Sequence, residues 1–218
     1  MDNPSYDPVP DPAAAERPEI PAYIVEQWTQ IIGLISEICA VPASLVMKRH
    51  PTEIEVFVSA GTEDNPYKSG EKARLGTGLY CETVMAQRKE LCVPNARKDP
   101  LWDRNPDIKV NMISYLGQPL LWPDKEVFGT LCILDSKENS YSDRIKSLLA
   151  KFRRSIETSL ALLCEIQARK KAQSEVETTV TGLMVMKGVM VERELRMIEL
   201  KEEMNKLLVE LGRPKKFP

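Results

Sequence analysis

ISYLGQPLLWPDKEVFGTLCILD, residues 113–135, reads as two β-strands, Ser114 to Trp122 and Val127 to Leu134, joined by the turn Pro123-Asp124-Lys125-Glu126. The second strand is apolar on both alternations: Val127, Leu131 and Ile133 fall on one side, Phe128, Cys132 and Leu134 on the other. A strand without a polar face must be covered on both sides, which predicts a central position in a sheet. Lys125 stands where such a turn goes left-handed, a conformation that costs a non-glycine residue on the order of 1 kcal/mol.

Upstream, Ala43 to Arg49 and Glu53 to Ala60 read as a hairpin across His50-Pro51-Thr52, with Ile54, Val56, Val58 and Ala60 inward and Glu53, Glu55 and Ser59 outward. Before it, Pro21 suits a first helical turn, and Ile24, Trp28, Ile31, Ile35 and Ile38 mark one helix face with Val25, Ile32 and Cys39 beside it. That face is wide enough to serve both the sheet and a partner subunit. Residues 1–20 carry Pro4, Pro8, Pro10, Pro12 and Pro18 among Asp, Glu and Ala. Such a segment cannot bury enough apolar surface to offset its ordering entropy, and a mobile tail is expected.

Gly61 to Leu75 is polar and reads as an exposed loop. Gly76 and Gly78 bracket Thr77, a good N-cap, and Leu79 to Arg88 has a helical pattern with Cys81, Val84 and Met85 on one side. Either the glycines only make the turn, or the free N–H groups of the helix start hold an anionic group of a ligand. Glu90 to Val93 is a short strand, and Asn95 to Lys109 is irregular. Trp102 in that loop is either an anchor or one wall of a pocket. After Asp135, a helix capped by Ser140 or Ser142 has Ile145, Leu149, Phe152, Ile156 and Leu163 on its inner face and no breaker before about Lys171. It is expected to lie beside the first helix.

From Leu183 the pattern becomes a heptad repeat: Leu183, Met190, Met197, Met204 and Leu211 recur every seven residues, with Met186, Leu200 and Leu207 at the second apolar position and Arg193 as the exception. Surrounded by charges, this narrow stripe suggests a coiled coil in which a second copy of the chain buries Leu183, Met190, Met197, Leu200, Met204, Leu207 and Leu211. The alternative is a helix folded back on its own domain. Thr178 to Thr181, Gly182 and Gly188 have weak helix propensity and predict a kink or loop between the two helices. Gly212 and Pro214 stop the last helix.

With 30 Lys+Arg against 32 Asp+Glu the charge is nearly balanced, which offers nothing to nucleic acid. No apolar run is long enough to cross a bilayer, and the amino terminus has no signal-peptide pattern, so a cytoplasmic protein is expected. The cysteines Cys39, Cys81, Cys92, Cys132 and Cys164 form an odd set without a CxxC pair and read as reduced thiols. His50 is the single histidine, so haem or zinc chemistry built on several histidines is excluded by count.

Asn105 to Asp135, NPDIKVNMISYLGQPLLWPDKEVFGTLCILD, resembles the last third of a GAF domain, the small ligand-sensing module of bacterial and archaeal signalling proteins. Relatives commonly carry glycine where this chain has Lys125. Glu192 to Phe217, ERELRMIELKEEMNKLLVELGRPKKF, is similar to the connecting helix that follows PAS or GAF sensor domains in prokaryotic sensor histidine kinases. Together the resemblances imply an α+β fold, an antiparallel sheet of about five to six strands flanked by helices plus a C-terminal coiled-coil helix. The parts would be a tail over 1–20, the sensor domain over 21–171, a connector over 172–188 and a signalling helix over 189–212. The family's pocket lies between the sheet and the region from Leu75 to Met112, which implies Leu79, Cys81, Met85, Trp102, Met112, Tyr115 and Cys132 as lining residues. Ligand and cofactor stay open.

The resemblance also implies that occupancy is relayed through the paired helix to a kinase or other output domain, with no catalysis in this chain. One alternative is the sensor part of a histidine kinase or diguanylate cyclase whose catalytic domain lies elsewhere. Another is the GAF-fold reductase of free methionine sulfoxide, since Cys81 in GLYCETVM is similar to that family's GVCGTA stretch and Cys92 follows on the next strand. That family's catalytic cysteine lies in the loop after the strand, and Asn95 to Asn111 contains none. The Asn-Lys…Phe…Asp-Glu signature of cyclic-nucleotide binders is absent, and His50 lies outside the loops that hold a bilin.

Overall fold

A computed structural model describes residues 17–217. In chain order the elements are α1 (Ala22–Cys39), β1 (Ala43–Arg49), β2 (Glu53–Ser59), β3 (Lys72–Arg74), α2 (Tyr80–Gln87), β4 (Leu91–Val93), β5 (Ser114–Leu121), β6 (Val127–Asp135) and α3 (Asp143–Glu210). The strands form one six-stranded sheet in the order β3-β2-β1-β6-β5-β4, with every neighbouring pair antiparallel. β6 is central and buried along its whole length, as its two apolar alternations predict. The β5–β6 turn is tight: the Lys125 N–H donates to the Trp122 carbonyl at 2.9 Å, the Trp122 N–H donates to the Glu126 carbonyl at 2.8 Å, and Lys125 adopts φ 73°.

Each face of the sheet carries its own core. On one lie Trp28, Ile32 and Ile35 of α1 with Leu149, Ile156 and Leu160 of α3; on the other lie Tyr80, Val84 and Met85 of α2 with Trp102 and Met112. Fully burying an aliphatic or aromatic side chain of this size contributes roughly 1.5–3 kcal/mol, so the first core alone is a large share of the driving force.

Two β-bulges decide which side chains belong to which core. On β2, Val58 pairs with Val46 and Val56 with Met47, which leaves Phe57 without a partner. On β6, Gly129 pairs with Leu120 and Val127 with Leu121, which leaves Phe128 extra in the same way. An extra residue reverses the alternation beyond it. The expected single inward set of β2 is therefore divided: Ile54 and Val56 face α2, while Val58 and Ala60 face α1. The expected faces of β6 change likewise, with Phe128 joining Leu131 and Ile133, and Val127 joining Cys132 and Leu134. The two bulge phenylalanines meet edge-on with centroids 6.1 Å apart, and Trp28 stands 6.1 Å from Phe57 and 5.9 Å from Phe128.

Three further expectations change, and a fourth lies mostly outside the described residues. The buried stripe of α1 is Ile24, Trp28, Ile32, Ile35 and Cys39, while Ile38 is 60% exposed, because the helix period carries the apolar face one residue round from the expected set. The loop over 61–75 contains edge strand β3, too short and polar to show a period. The tail expected over 1–20 lies mostly outside the described residues, but Arg17 pairs with Asp124 at 2.8 Å and stacks 4.9 Å above Trp122. The loop expected as one form of the connector over 172–188 does not form: α3 stays helical through it, and Thr178, Thr179 and Thr181 donate to the carbonyls four residues back at 2.8 Å. Such back-bonding satisfies the hydroxyls without breaking the backbone ladder, so the low propensity of threonine does not interrupt the helix.

Residues 166–217 make a compact unit of their own, separate from the sheet-bearing one. In it Leu183, Met190, Met197, Leu200, Met204, Leu207 and Leu211 are all exposed. Gly212 ends α3 at φ 67°, and the Asn205 carboxamide holds the chain end by accepting from the Lys216 and Phe217 N–H groups at 2.9 and 3.1 Å and donating to the Phe217 carbonyl at 2.8 Å.

Gly129 opposes Lys48 of β1, and a Cβ placed on it would lie 1.7 Å from the Met47 carbonyl oxygen. Because backbone rather than side chain is the obstacle, Gly129→Ala is expected to lose about 3 kcal/mol or more in urea unfolding, or to leave no soluble protein. Gly33→Ala, with open space around the added methyl group in mid-helix, is expected to raise stability by roughly 0.5–1 kcal/mol in the same measurement.

Candidate functional site

Between α2, β3 and the centre of the sheet lies a cavity of about 140 Å³. Its walls are mainly aliphatic, with Leu45 and Met47 from β1, Ile54 and Val56 from β2, Leu79 before α2 and Leu134 from β6. Cys81, Tyr115 and Cys132 form its polarisable floor, and Tyr67 and Asp107 supply its principal polar groups, both part-buried. Glu71 and Lys72 stand at the rim, both exposed.

Tyr67 and Asp107 are positioned by one device used twice. In Asn65-Pro66-Tyr67 the Asn65 carbonyl oxygen accepts from the Tyr67 N–H at 3.0 Å, and its amide donates to Ala60 O and Ser59 Oγ at 2.7 and 2.8 Å. In Asn105-Pro106-Asp107 the Asn105 oxygen accepts from the Asp107 N–H at 2.9 Å, and its amide donates to Gly78 O at 2.8 Å. Each is an Asx turn that presents the side chain two residues on. The two meet over the cavity, where the Tyr67 hydroxyl donates to Asp107 Oδ1 at 2.8 Å. Burial raises the Asp107 carboxyl to about 6 and the Tyr67 hydrogen bond only partly offsets it. Burial, reinforced by the Asp107 charge, likewise raises the Tyr67 phenol.

At the floor Cys81 Sγ lies 3.4 Å from the Tyr115 hydroxyl and accepts from Thr130 Oγ1 at 3.3 Å. The Cys132 thiol donates to Cys81, which makes Cys81 the more acidic of the pair against the opposing effect of its burial and pushes Cys132 up. Tyr115 lies along its own strand because Gly117 has no side chain: a Cβ there would stand 2.0 Å from the Tyr115 hydroxyl.

Of the seven residues expected to line a pocket, Leu79, Cys81, Tyr115 and Cys132 come together around this cavity. Met85, Trp102 and Met112 do not line it. Met85 packs beneath α2, Trp102 lies against Tyr80 with centroids 5.0 Å apart, and Met112 lines an open cleft beside Asn111 and Asp135. Trp102 thus acts as the anchor, and Tyr80 stacks between it and Tyr115, 4.7 Å from the latter. The helix start does not offer free N–H groups to an anion, because the Glu82 carboxylate accepts from the Thr77, Gly78 and Leu79 N–H groups at 3.1, 3.4 and 3.3 Å. Leu79, not Thr77, is the N-cap, and the Thr77 hydroxyl turns back to the Arg74 carbonyl.

Sequence reasoning missed Tyr67 and Asp107. The usable signal was the repeated Asn-Pro pair, since an aromatic or acidic residue directly after an Asx turn is held rather than free. His50 pairs with Glu55 at 2.6 Å, away from the cavity. Among the described residues no three His, Cys, Asp or Glu side chains gather in a geometry that holds a metal ion, and no helix is long and apolar enough to cross a membrane.

The chain is similar in structure to residues 122 to 287 of a methyl-accepting chemotaxis protein, with a TM-score of 0.56 and 14% identity over 66% of this chain and 92% of that one. It is similar to the GAF domain of an Acinetobacter phosphoenolpyruvate-protein phosphotransferase, with a TM-score of 0.51 and 16% identity over 62% of this chain and 80% of that one. It is also similar to a type II free methionine-R-sulfoxide reductase from Thermoplasma acidophilum, with a TM-score of 0.51 and 10% identity over 63% of this chain and 92% of that one. At such identities these likenesses speak for the fold alone. No curated protein sequence matches. The GAF domain family model matches residues 9–156, most of the chain, and with the antiparallel sheet and its helices this makes the protein a member of the GAF domain family, the small-molecule-sensing modules of signalling proteins.

Proposed function

We propose that this chain is the sensor part of a cytoplasmic signalling protein, that a small molecule occupies the cavity, and that α3 carries the occupancy signal to an output domain by pairing with α3 of a second copy. A sensor histidine kinase is the favoured context, on the strength of the connector-like sequence Glu192 to Phe217. The observation that carries the reading is the two-sidedness of β5 and β6. Tyr115 and Cys132 face the cavity, while their neighbours Leu116 and Ile133 face the core that holds Leu149, Ile156 and Leu160 of α3. A side chain moved by ligand on one face therefore shifts backbone on which the helix packs. Glu157 of α3 accepts from the Leu121 N–H of β5 at 3.2 Å, and the Lys146 carbonyl accepts from the Gln118 amide at 3.4 Å. The coupling can be no larger than the ligand's differential affinity for the two helix arrangements.

Pairing is supported by the exposed stripe from Leu183 to Leu211, which a lone chain leaves in water. Reduced cysteines fit a cytoplasmic setting, and all five are unpaired. Catalysis has weaker support. Cys81 and Cys132 sit beneath the cavity with Cys81 only 8% exposed, and a thiol nucleophile needs a more open setting.

Native mass spectrometry of freshly purified protein is expected to give a dimer carrying a small co-purified molecule. Met197→Glu with Met204→Glu is expected to give monomer without lowering the melting temperature of the sheet-bearing unit, and a variant that stays dimeric would overturn pairing through this stripe. Incubation with free methionine sulfoxide and a thiol reductant is expected to yield no methionine.

The raised Asp107 carboxyl also sets a pH dependence. Below its ordinary value of 3.8 the group is protonated in both states; between there and about 6 the unfolded chain loses its proton first. Stability should thus fall as pH rises through that window and stay lower above it, by at most about 3 kcal/mol and by less where solvent reaches the carboxylate. Asp107→Asn, which keeps an acceptor for Tyr67, is expected to flatten this slope and to raise the melting temperature at neutral pH.

A further inference from the structure

We infer that the cavity is a site for a compact organic cation, an ammonium group on an apolar body about the size of a benzene ring, with the charge meeting the unoccupied carboxylate oxygen of Asp107. This rests on the sensor reading above and names the ligand class for the same site.

Size sets the first limit. A cavity of about 140 Å³ matches the roughly 150 Å³ apolar cavity that accepts benzene. A body of six or so carbon atoms fits; a nucleotide or tetrapyrrole does not. Wall chemistry sets the second. Ile54, Val56, Leu45 and Leu134 offer only dispersion and desolvation, while Met47 and Tyr115 add polarisable surface, so the enclosed part of the ligand is apolar.

Charge sets the third. Asp107 Oδ1 takes the Tyr67 hydroxyl, and among the described residues nothing donates to Oδ2. The groups around the carboxylate are Tyr67 and Glu71 from the 61–71 segment, Lys72 from β3, Tyr80 and Cys81 from α2, Tyr115 from β5 and Cys132 from β6, with Asp99 beyond Tyr80. Only Lys72 among them is a cation. It is exposed at the rim beside Glu71 and forms no ion pair with Asp107. A part-buried carboxylate beside a mainly aliphatic wall, with one oxygen lacking a donor among the described residues and no cation paired to it, favours an ammonium and disfavours a carboxylate or phosphate ligand. The burial-raised Asp107 value of about 6 agrees, since a resident cation would have lowered it.

Three near-isosteres separate these possibilities on the 218-residue chain: benzylamine, toluene and benzoate, compared by isothermal titration at neutral pH. Benzylamine is expected to bind about tenfold or more tighter than toluene, and benzoate not measurably, because the phenyl body is common and only the charge differs. In Asp107→Asn, benzylamine should fall to the affinity of toluene while toluene is unchanged, which shows that the cavity itself is intact. An alkylammonium stays charged at acid pH, so benzylamine affinity for the wild type should weaken roughly tenfold at pH 5, as Asp107 takes up its proton. Equal affinities of toluene and benzylamine, tighter binding of benzoate, or benzylamine affinity unmoved by Asp107→Asn would overturn the cation inference while leaving the cavity as the sensor's site. Binding of none of the three to the wild type would overturn both.

Discussion

The sheet depends on how closely β1 can approach β6 at Gly129. The Met47 carbonyl oxygen lies where a side chain of residue 129 would stand, at 1.7 Å from the position of its Cβ, so this crossing admits only glycine. The residue just before it, Phe128, is the bulge residue of β6, and Met47 lies at the register shift that makes Phe57 the bulge residue of β2. The close approach and both bulges thus occupy one corner of the sheet. Their joint result is that two phenylalanines turn toward Trp28, with Trp122 a further 5.3 Å from Phe128, and close the core beneath α1. A bulge also increases local twist. The opposite face is freed at the same crossing, because the side chains that would have filled it have been sent to the other core.

That geometry explains which parts of the fold were legible in the sequence. β6 was readable as a central strand because apolar residues on both alternations admit no other position, and the left-handed Lys125 was readable because the turn length demands one. The facing of individual residues on β2 and β6 was not readable. Alternation assumes an unbroken pleat, and nothing in EIEVFVSA or VFGTLCILD marks the residue that will be skipped. Gly129 was the one available hint, since glycine within a strand often marks close backbone approach. The loop expected within α3 fails to form for a different reason. Propensity is a weak preference per residue, and the helix continues through Thr178, Thr179 and Thr181 with their hydroxyls bonded back to its own carbonyls.

The site was half legible on the same logic. Leu79, Cys81, Tyr115 and Cys132 lie on elements whose existence the sequence declared, so the resemblance to the GAF family could carry them to the wall of one cavity. Met85, Trp102 and Met112 lie in the same core but not on the cavity, a distinction of a few ångströms that no periodicity encodes. Tyr67 comes from a loop and Asp107 from the first turn of a short 3-10 helix, Pro106–Val110, brought together across 40 positions of sequence by two Asx turns. Polar residues in polar loops look alike in sequence; only the tertiary fold shows which of them face an apolar wall. The helix start illustrates the converse: glycines around a helix N-terminus suggested an anion site, and the chain supplies the anion itself with Glu82.

Asp107 connects this geometry to sensing. A domain whose purpose were stability alone would place a neutral or apolar residue there, since an ionised carboxylate among aliphatic side chains costs more than one hydrogen bond from Tyr67 returns. Because burial raises its pKa to about 6, Asp107 leaves the domain less stable at neutral pH than in mild acid, and one oxygen of that carboxylate has no donor among the described residues. A ligand that neutralises that oxygen recovers the deficit only when bound, so its binding free energy and the stabilisation of the surrounding walls are one quantity seen from two sides. The walls concerned include Tyr115 and Cys132, which share their strands with the residues packed against α3. Asp107 itself lies outside those strands, in the short helix Pro106–Val110, and meets them only across the cavity that their side chains share.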